Sequence, residues 1–133
     1  IIGHIEAFNN AECAQEAFDM WQKAGATEVG VAILFDTRLE ELAPYVSLCD
    51  FVHAMTIRTI GRQGIPFEET AIERIAQLHE KYPHMTISVD GGENRKNIAR
   101  LAEAGATRFC AGSVLNNAKD PAKEYAALVN AMV

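Results

Sequence analysis

Ser88-Val89-Asp90-Gly91-Gly92 ends an apolar strand in a carboxylate and two glycines, and a helix later Cys110-Ala111-Gly112-Ser113 ends a second apolar strand in Gly-Ser. In a parallel α/β sheet both the Gly-Gly and the Gly-Ser fall at C-terminal strand ends, the face where a barrel keeps its active site. Glycine there lets backbone N–H groups approach a ligand closely, and such groups suit a phosphate. An acid beside a phosphate cradle points to proton chemistry on a phosphorylated metabolite.

The flanking segments repeat one unit. Ile1 to Phe8, Glu28 to Phe35, Phe51 to Ile57, Met85 to Asp90 and Arg108 to Gly112 read as strands, the second rich in Val, Ile and Leu. Between them run segments of helical spacing. Asn10 caps a helix with Ala14, Ala17, Phe18 and Trp21 on one side that ends at Gly25. Asp36 or Thr37 opens a helix to about Leu48, Glu68 to Tyr82 is the longest and stops at Pro83, and Asn94 caps one closing at Gly105. Asp120-Pro121 opens the last with a cap and a first-turn proline. Gly25-Ala26-Thr27 and Gly105-Ala106-Thr107 are near-identical helix ends, each leading into a strand. About five strand–helix units predict a single α/β domain over residues 1–133 with a buried parallel sheet, either part of a (βα)8 barrel or an open five-stranded flavodoxin-like sheet.

Composition bounds the function. A chain of 133 residues, 49% hydrophobic and 23% charged, has room for one core and not two. A net charge of −6 gives a nucleic-acid partner no electrostatic support. Cys13, Cys49 and Cys110 are odd in number and lack metal-type spacing, so they read as small hydrophobes in a reducing compartment. No apolar run approaches the ~20 residues of a membrane span, and the expected location is cytoplasmic. Ile1-Ile2-Gly3-His4 starts inside a strand-like run without an initiator Met, as a segment of something longer would.

From His4 onward the chain resembles the ribulose-phosphate 3-epimerase family of phosphate-binding (βα)8 barrels, covering its fourth to eighth strands. Gly3-His4-Ile5-Glu6-Ala7 resembles the strand with a metal-binding His, and Gly30-Val31-Ala32 with Thr37 the next strand and helix start. Met55-Thr56, then Gly61, Gly64 and Phe67, resembles the Met strand and its glycine-rich loop. Val89-Asp90-Gly91-Gly92 resembles the seventh strand, and Glu103-Ala104-Gly105-Ala106 with Ala111-Gly112-Ser113 the eighth and its phosphate grip. The chain departs from the family at Leu34-Phe35-Asp36, at Arg58-Thr59-Ile60, and at Glu93, which stands where a small apolar residue usually follows the glycines.

The resemblance implies a metal-dependent epimerase of a ketose phosphate of the ribulose 5-phosphate type, working through an enediolate. Asp90 would be general acid/base and metal ligand, and His4 a second ligand, for one divalent ion (zinc, iron, manganese or cobalt). Gly91, Gly92, Gly112, Ser113 and Gly64 would bind phosphate, a short helix after Ser113 completing the grip, and Met55 would floor the site. The family's other metal-binding His, second catalytic Asp and nearby Ser belong to its first two strands. Arg58 and Arg62 read as solvated loop charges, with an anion-site role as the alternative, and His53 as a hydrogen-bonded structural residue on the strand parity of Met55. The expected partners are a sugar phosphate and either another copy or the remaining barrel strands. Rival readings are another phosphate-barrel enzyme (aldolase, decarboxylase or synthase) and a non-catalytic truncated or engineered α/β fragment.

Overall fold

The computed structural model describes residues 1–132. Five parallel strands form one open sheet in the order β1-β2-β3-β4-β5, with no reversal of direction along it. They are β1 (Ile2–His4), β2 (Gly30–Ile33), β3 (Phe51–Met55), β4 (Thr86–Asp90) and β5 (Arg108–Cys110). The helices are α1 (Ala11–Lys23), α2 (Ala71–Lys81), α3 (Ile98–Glu103), the single turn α4 (Ser113–Asn116) and α5 (Pro121–Ala131). Strands that follow one another in sequence and pair with their successors have the order of consecutive barrel strands.

Local chemistry sets the element ends. The Asn10 side chain accepts the Cys13 N–H at 2.9 Å and caps α1, and the Asp120 side chain accepts the Lys123 N–H at 3.1 Å and caps α5. Gly-Ala-Thr occurs twice because α1 and α3 end alike. Ala26 and Ala106 N–H groups donate back to the carbonyls of Trp21 and Leu101, and those of Gly25 and Gly105 to Gln22 and Ala102. This double bond pattern is the Schellman motif.

Most elements are trimmed at their ends relative to the sequence pattern: β2, β3, β5 and α2 are each a few residues shorter, and α3 starts after Asn97 with no side-chain cap rather than from a cap at Asn94. Two elements change more. The first strand stops at His4 rather than Phe8, and Ile5–Ala7 forms a 3-10 turn that drops Ile5 into the core. There the Glu6 carboxylate accepts the Leu34 N–H at 2.8 Å and the Thr37 hydroxyl, which fastens the turn to the end of β2. The helix expected up to Leu48 is a 3-10 turn, Leu39–Leu42, followed by irregular turns. Pro44 interrupts it, having no N–H to donate to a residue four back.

One face of the sheet presents Val31, Ile33, Val52, Ala54, Ile87 and Val89 to a core completed by Phe18, Leu42, Ile75, Leu78 and Leu101. On the other face, pairing places His4, Ala32, His53, Ser88 and Arg108 in one row, with Met55, Asp90 and Cys110 in the row nearer the strand ends. Across that face the Arg108 guanidinium on β5 reaches both Glu28 carboxylate oxygens, just before β2, at 3.2 Å and stacks 4.6 Å over the Phe51 ring of β3, so one long side chain ties three strands together.

The sheet is open, leaving β1 and β5 as free edges among the described residues, with Ile1 and Ile2 exposed beside the first. Unpaired parallel edges of this kind seek strands to pair with. Sedimentation of the protein alone should therefore show self-association, with amides of β1 or β5 protected from hydrogen exchange. A stable monomer whose two edge strands both exchange freely would contradict this.

Candidate active site

Strand pairing brings the candidate residues to one rim. Met55 on β3 is level with Asp90, and Asp90 with Cys110 on β5. Met55, Gly64, Asp90, Gly91, Gly92, Gly112 and Ser113 all line one cavity of about 530 Å³ at the C-terminal strand ends. His4 does not line it. It ends the edge strand β1, with Nδ1 3.3 Å from a Glu6 carboxylate oxygen, buried and without a hydrogen bond.

The histidine nearest Asp90 is His53. Its Nε2 lies 3.7 Å from Asp90 Oδ2, and its Nδ1 is 3.0 Å from the Ser88 hydroxyl. His53 is 6% exposed, whereas the Asp90 side chain is 45% exposed at the cavity wall. A buried imidazole with a polar partner on each side holds the base of the site in place. Burial, with Asp90 nearby, pushes the Cys110 thiol up, so it stays protonated there.

The glycine turn after β4 is built for close approach. Gly92 sits at φ +75°, and a Cβ on it would lie 2.9 Å from the Phe67 backbone nitrogen. Nearly every L side chain is excluded there by both conformation and contact. Gly112 differs: a Cβ there would meet only the Gln63 side chain, at 3.8 Å. Its lack of a side chain keeps the cavity open rather than the backbone unstrained. Among the described residues, no protein acceptor takes the N–H groups of Gly92, Gly112 or Ser113. The Gly91 N–H is taken, by Glu93 at 3.0 Å.

The structure separates the two loop arginines. Arg58 lies 2.5 Å from Asp36 and 3.1 Å from Glu68, and stacks on Phe35, so it braces two loops away from the cavity. Arg62 is exposed on the cavity wall and is the only Arg or Lys lining it. At the end of β2, Arg74 donates to the carbonyls of Leu34 and Thr37. Burial pushes the Glu6 carboxyl up, but hydrogen bonds from Thr37 and Leu34, with His4 beside them, outweigh this and hold it below its ordinary value.

Glu93, with Thr56, is a part of the site that sequence reasoning left without a role. A charged residue directly after the paired glycines was the available signal, and its partner Thr56 gave none. Among the described residues, no group of three or more His, Cys, Asp or Glu side chains is placed to hold a metal ion. No helix among them is long and apolar enough to cross a membrane.

Comparison with known proteins gives one family. A model of the ribulose-phosphate 3 epimerase family matches residues 1–116. Ribulose-phosphate 3-epimerase of Schizosaccharomyces pombe is 31% identical over 105 residues, which cover 79% of this chain and 46% of that protein. The cytoplasmic isoform of the enzyme from Oryza sativa subsp. japonica is 33% identical over 118 residues, covering 83% and 52%. The chain thus spans about half the length of the curated relatives it matches. A crystal structure of the Amycolatopsis orientalis BexX/CysO complex aligns with TM-score 0.65 at 22% identity, over 92% of this chain and 48% of that one. At that identity the likeness is one of fold.

The two glycines should respond differently to the same change. Gly92→Ala forces a left-handed residue against backbone and should cost on the order of 1–3 kcal/mol, whereas Gly112→Ala should leave stability nearly unchanged. Urea unfolding of both variants checks this, and equal losses would show that the glycine turn is misread.

Proposed function

The chain belongs to the ribulose-phosphate 3-epimerase family, and on that premise we propose that its strand ends carry part of an epimerase site for a ketose phosphate of the ribulose 5-phosphate type. The observation that carries the reading is a single cavity walled by Asp90 and by the unengaged N–H groups of Gly92, Gly112 and Ser113. An acid and an anion cradle share one opening.

Each group has a task that follows from its place. The N–H groups of Gly92, Gly112 and Ser113 hold the phosphate, with Gly64 and Arg62 on the facing loop. Gly91, its own N–H engaged, shapes the turn that presents Gly92. Met55 closes the floor, and His53 backs Asp90 from below. Asp90 then takes or returns the proton at the carbon beside the substrate carbonyl, on one face of the enediolate. Epimerisation needs an acid–base group on the other face too. The resemblance puts that group, an Asp, on strands that precede this segment in the family.

A divalent metal, when bound, would stabilise the enediolate oxygens. The Nδ1 of His4, which makes no hydrogen bond although Glu6 lies beside it, and the carboxylate of Asp90 are donors of the right chemistry for zinc, iron, manganese or cobalt. They are two donors, on β1 and β4, and a complete site needs further ones. The remaining barrel strands would supply those donors and cover the free edges, and a second copy is the alternative partner. Location in the cytoplasm is part of the same proposal.

The test is conversion of ribulose 5-phosphate to xylulose 5-phosphate, assayed with the divalent metal and the rest of the barrel present. Asp90→Asn should lower kcat by about 10²–10⁴-fold with the fold intact by circular dichroism. Activity above about a tenth of the original would remove Asp90 from the proton transfer. Phosphate binding without turnover in the unaltered protein would favour a binding domain over an enzyme.

A further inference from the structure

Glu93 is the only carboxyl group buried among the described residues, at 4% exposure, and its partners determine where its proton must be. Its Oε2 accepts the Gly91 N–H at 3.0 Å. Its Oε1 lies 3.1 Å from the Thr56 hydroxyl oxygen, and that same hydroxyl is 2.7 Å from the Gly91 carbonyl oxygen. Thr56 is fully buried. A hydroxyl has one proton. The shorter contact, to a carbonyl that can only accept, takes it. The 3.1 Å contact then either carries a proton from the carboxyl or keeps only the weaker share of a bifurcated hydroxyl proton.

With Oε1 protonated, a ring of three hydrogen bonds closes. Glu93 donates to Thr56, Thr56 donates to the Gly91 carbonyl, and the Gly91 N–H donates back to Glu93. Every donor and acceptor is used once, in one direction around the ring. We propose that Glu93 is a neutral carboxylic acid whose proton closes this ring, and that it thereby decides the anion affinity of the neighbouring cradle. Protonated, it leaves the Gly91-Gly92 turn open to a phosphate-type anion. Ionised, it places a negative charge under that turn and repels one. The anion half rests on the phosphate reading above; the proton half does not.

The surroundings favour the neutral form. Burial first, and then the charge of Asp90, push the Glu93 carboxyl above its ordinary value, against hydrogen bonds from Gly91 and Thr56 that lower it. Of the other titratable groups, Cys110 from β5 and Arg62 from the glycine-rich loop line the same cavity as Glu93, and Glu124 from α5 lines an adjoining one. Glu124 is already paired with Arg95, and Arg62 is exposed, so no cation is committed to Glu93. An acid whose folded pKa is raised stabilises the fold fully below its unfolded pKa, and that contribution is lost as pH rises through the folded value.

Glu93→Gln separates the proton from the ring. The amide donates to Thr56 and accepts from Gly91 as the neutral acid does, but it cannot ionise. The probe is sulfate, whose charge stays constant over about pH 5 to 8. The unaltered protein should lose at least about tenfold in sulfate affinity across that range, while Glu93→Gln stays flat at the low-pH value. The same pH profile in both proteins, or weaker binding by the variant at every pH, overturns the proposal. The carbon-13 shift of the Glu93 carboxyl reads the proton directly. A midpoint at or below about 4.3 overturns the proton assignment whether or not sulfate binds. Sulfate binding by neither protein, with the carboxyl still titrating high, means the phosphate reading fails and takes the coupling with it.

Discussion

The pairing of β3 with β4 is the contact from which the site is built. Five residues pair in parallel, from Phe51 with Thr86 to Met55 with Asp90. The ladder then runs one step past the strands, because the Thr56 N–H donates to the Asp90 carbonyl at 2.9 Å. Thr56 is thereby placed to reach the Gly91 carbonyl with its hydroxyl, and the Glu68 N–H returns to the Thr56 carbonyl at 3.0 Å. One register decides that the acid, the glycine turn and the loop of Gly61 and Gly64 meet. A one-residue slip of β4 against β3 would turn Asp90 toward the hydrophobic core. The buried Val52, Ala54, Ile87 and Val89 on the opposite face prevent that slip.

The second constraint is a tie across the sheet. The core fills one face, and on the other Arg108 bridges to Glu28 and stacks on Phe51, one row below the residues that line the cavity. The ion pair itself is exposed and worth little. Its placement matters more: it links β5 to the start of β2, while Gly112 and Ser113 beyond β5 line the same cavity as Asp90. Gln63 adds a contact at the top, 3.3 Å from Asn116 on α4.

Sequence patterns revealed the repeating strand–helix order because each unit carries its own punctuation. Asn10, the two Gly-Ala-Thr ends and Asp120-Pro121 are local signals that survive folding unchanged. Asp90 with Gly91-Gly92, and Gly112-Ser113, were legible because a carboxylate or glycine at the end of an apolar strand is costly unless used. The failures were tertiary. The early end of β1 depends on Glu6 finding Leu34 and Thr37, 28 and 31 residues away, which periodicity within a segment does not register. The helix expected after Thr37 gives way to a 3-10 turn because Pro44 has no N–H to continue it. The contrast between Arg58 and Arg62 is invisible in sequence, since both are loop arginines four residues apart. It rests on Asp36, Glu68 and Phe35 surrounding one of them and not the other.

The central claim is that one anion cradle stands beside Asp90, formed by backbone that strand register brings together. Nitrogen-15 NMR of the protein titrated with inorganic phosphate tests it most directly. The amide signals of Gly92, Gly112 and Ser113 should move together along one saturating curve, while those of Arg58 and of β1 stay still. Shifts elsewhere with these three unmoved, or no saturable shift at all, would contradict the account.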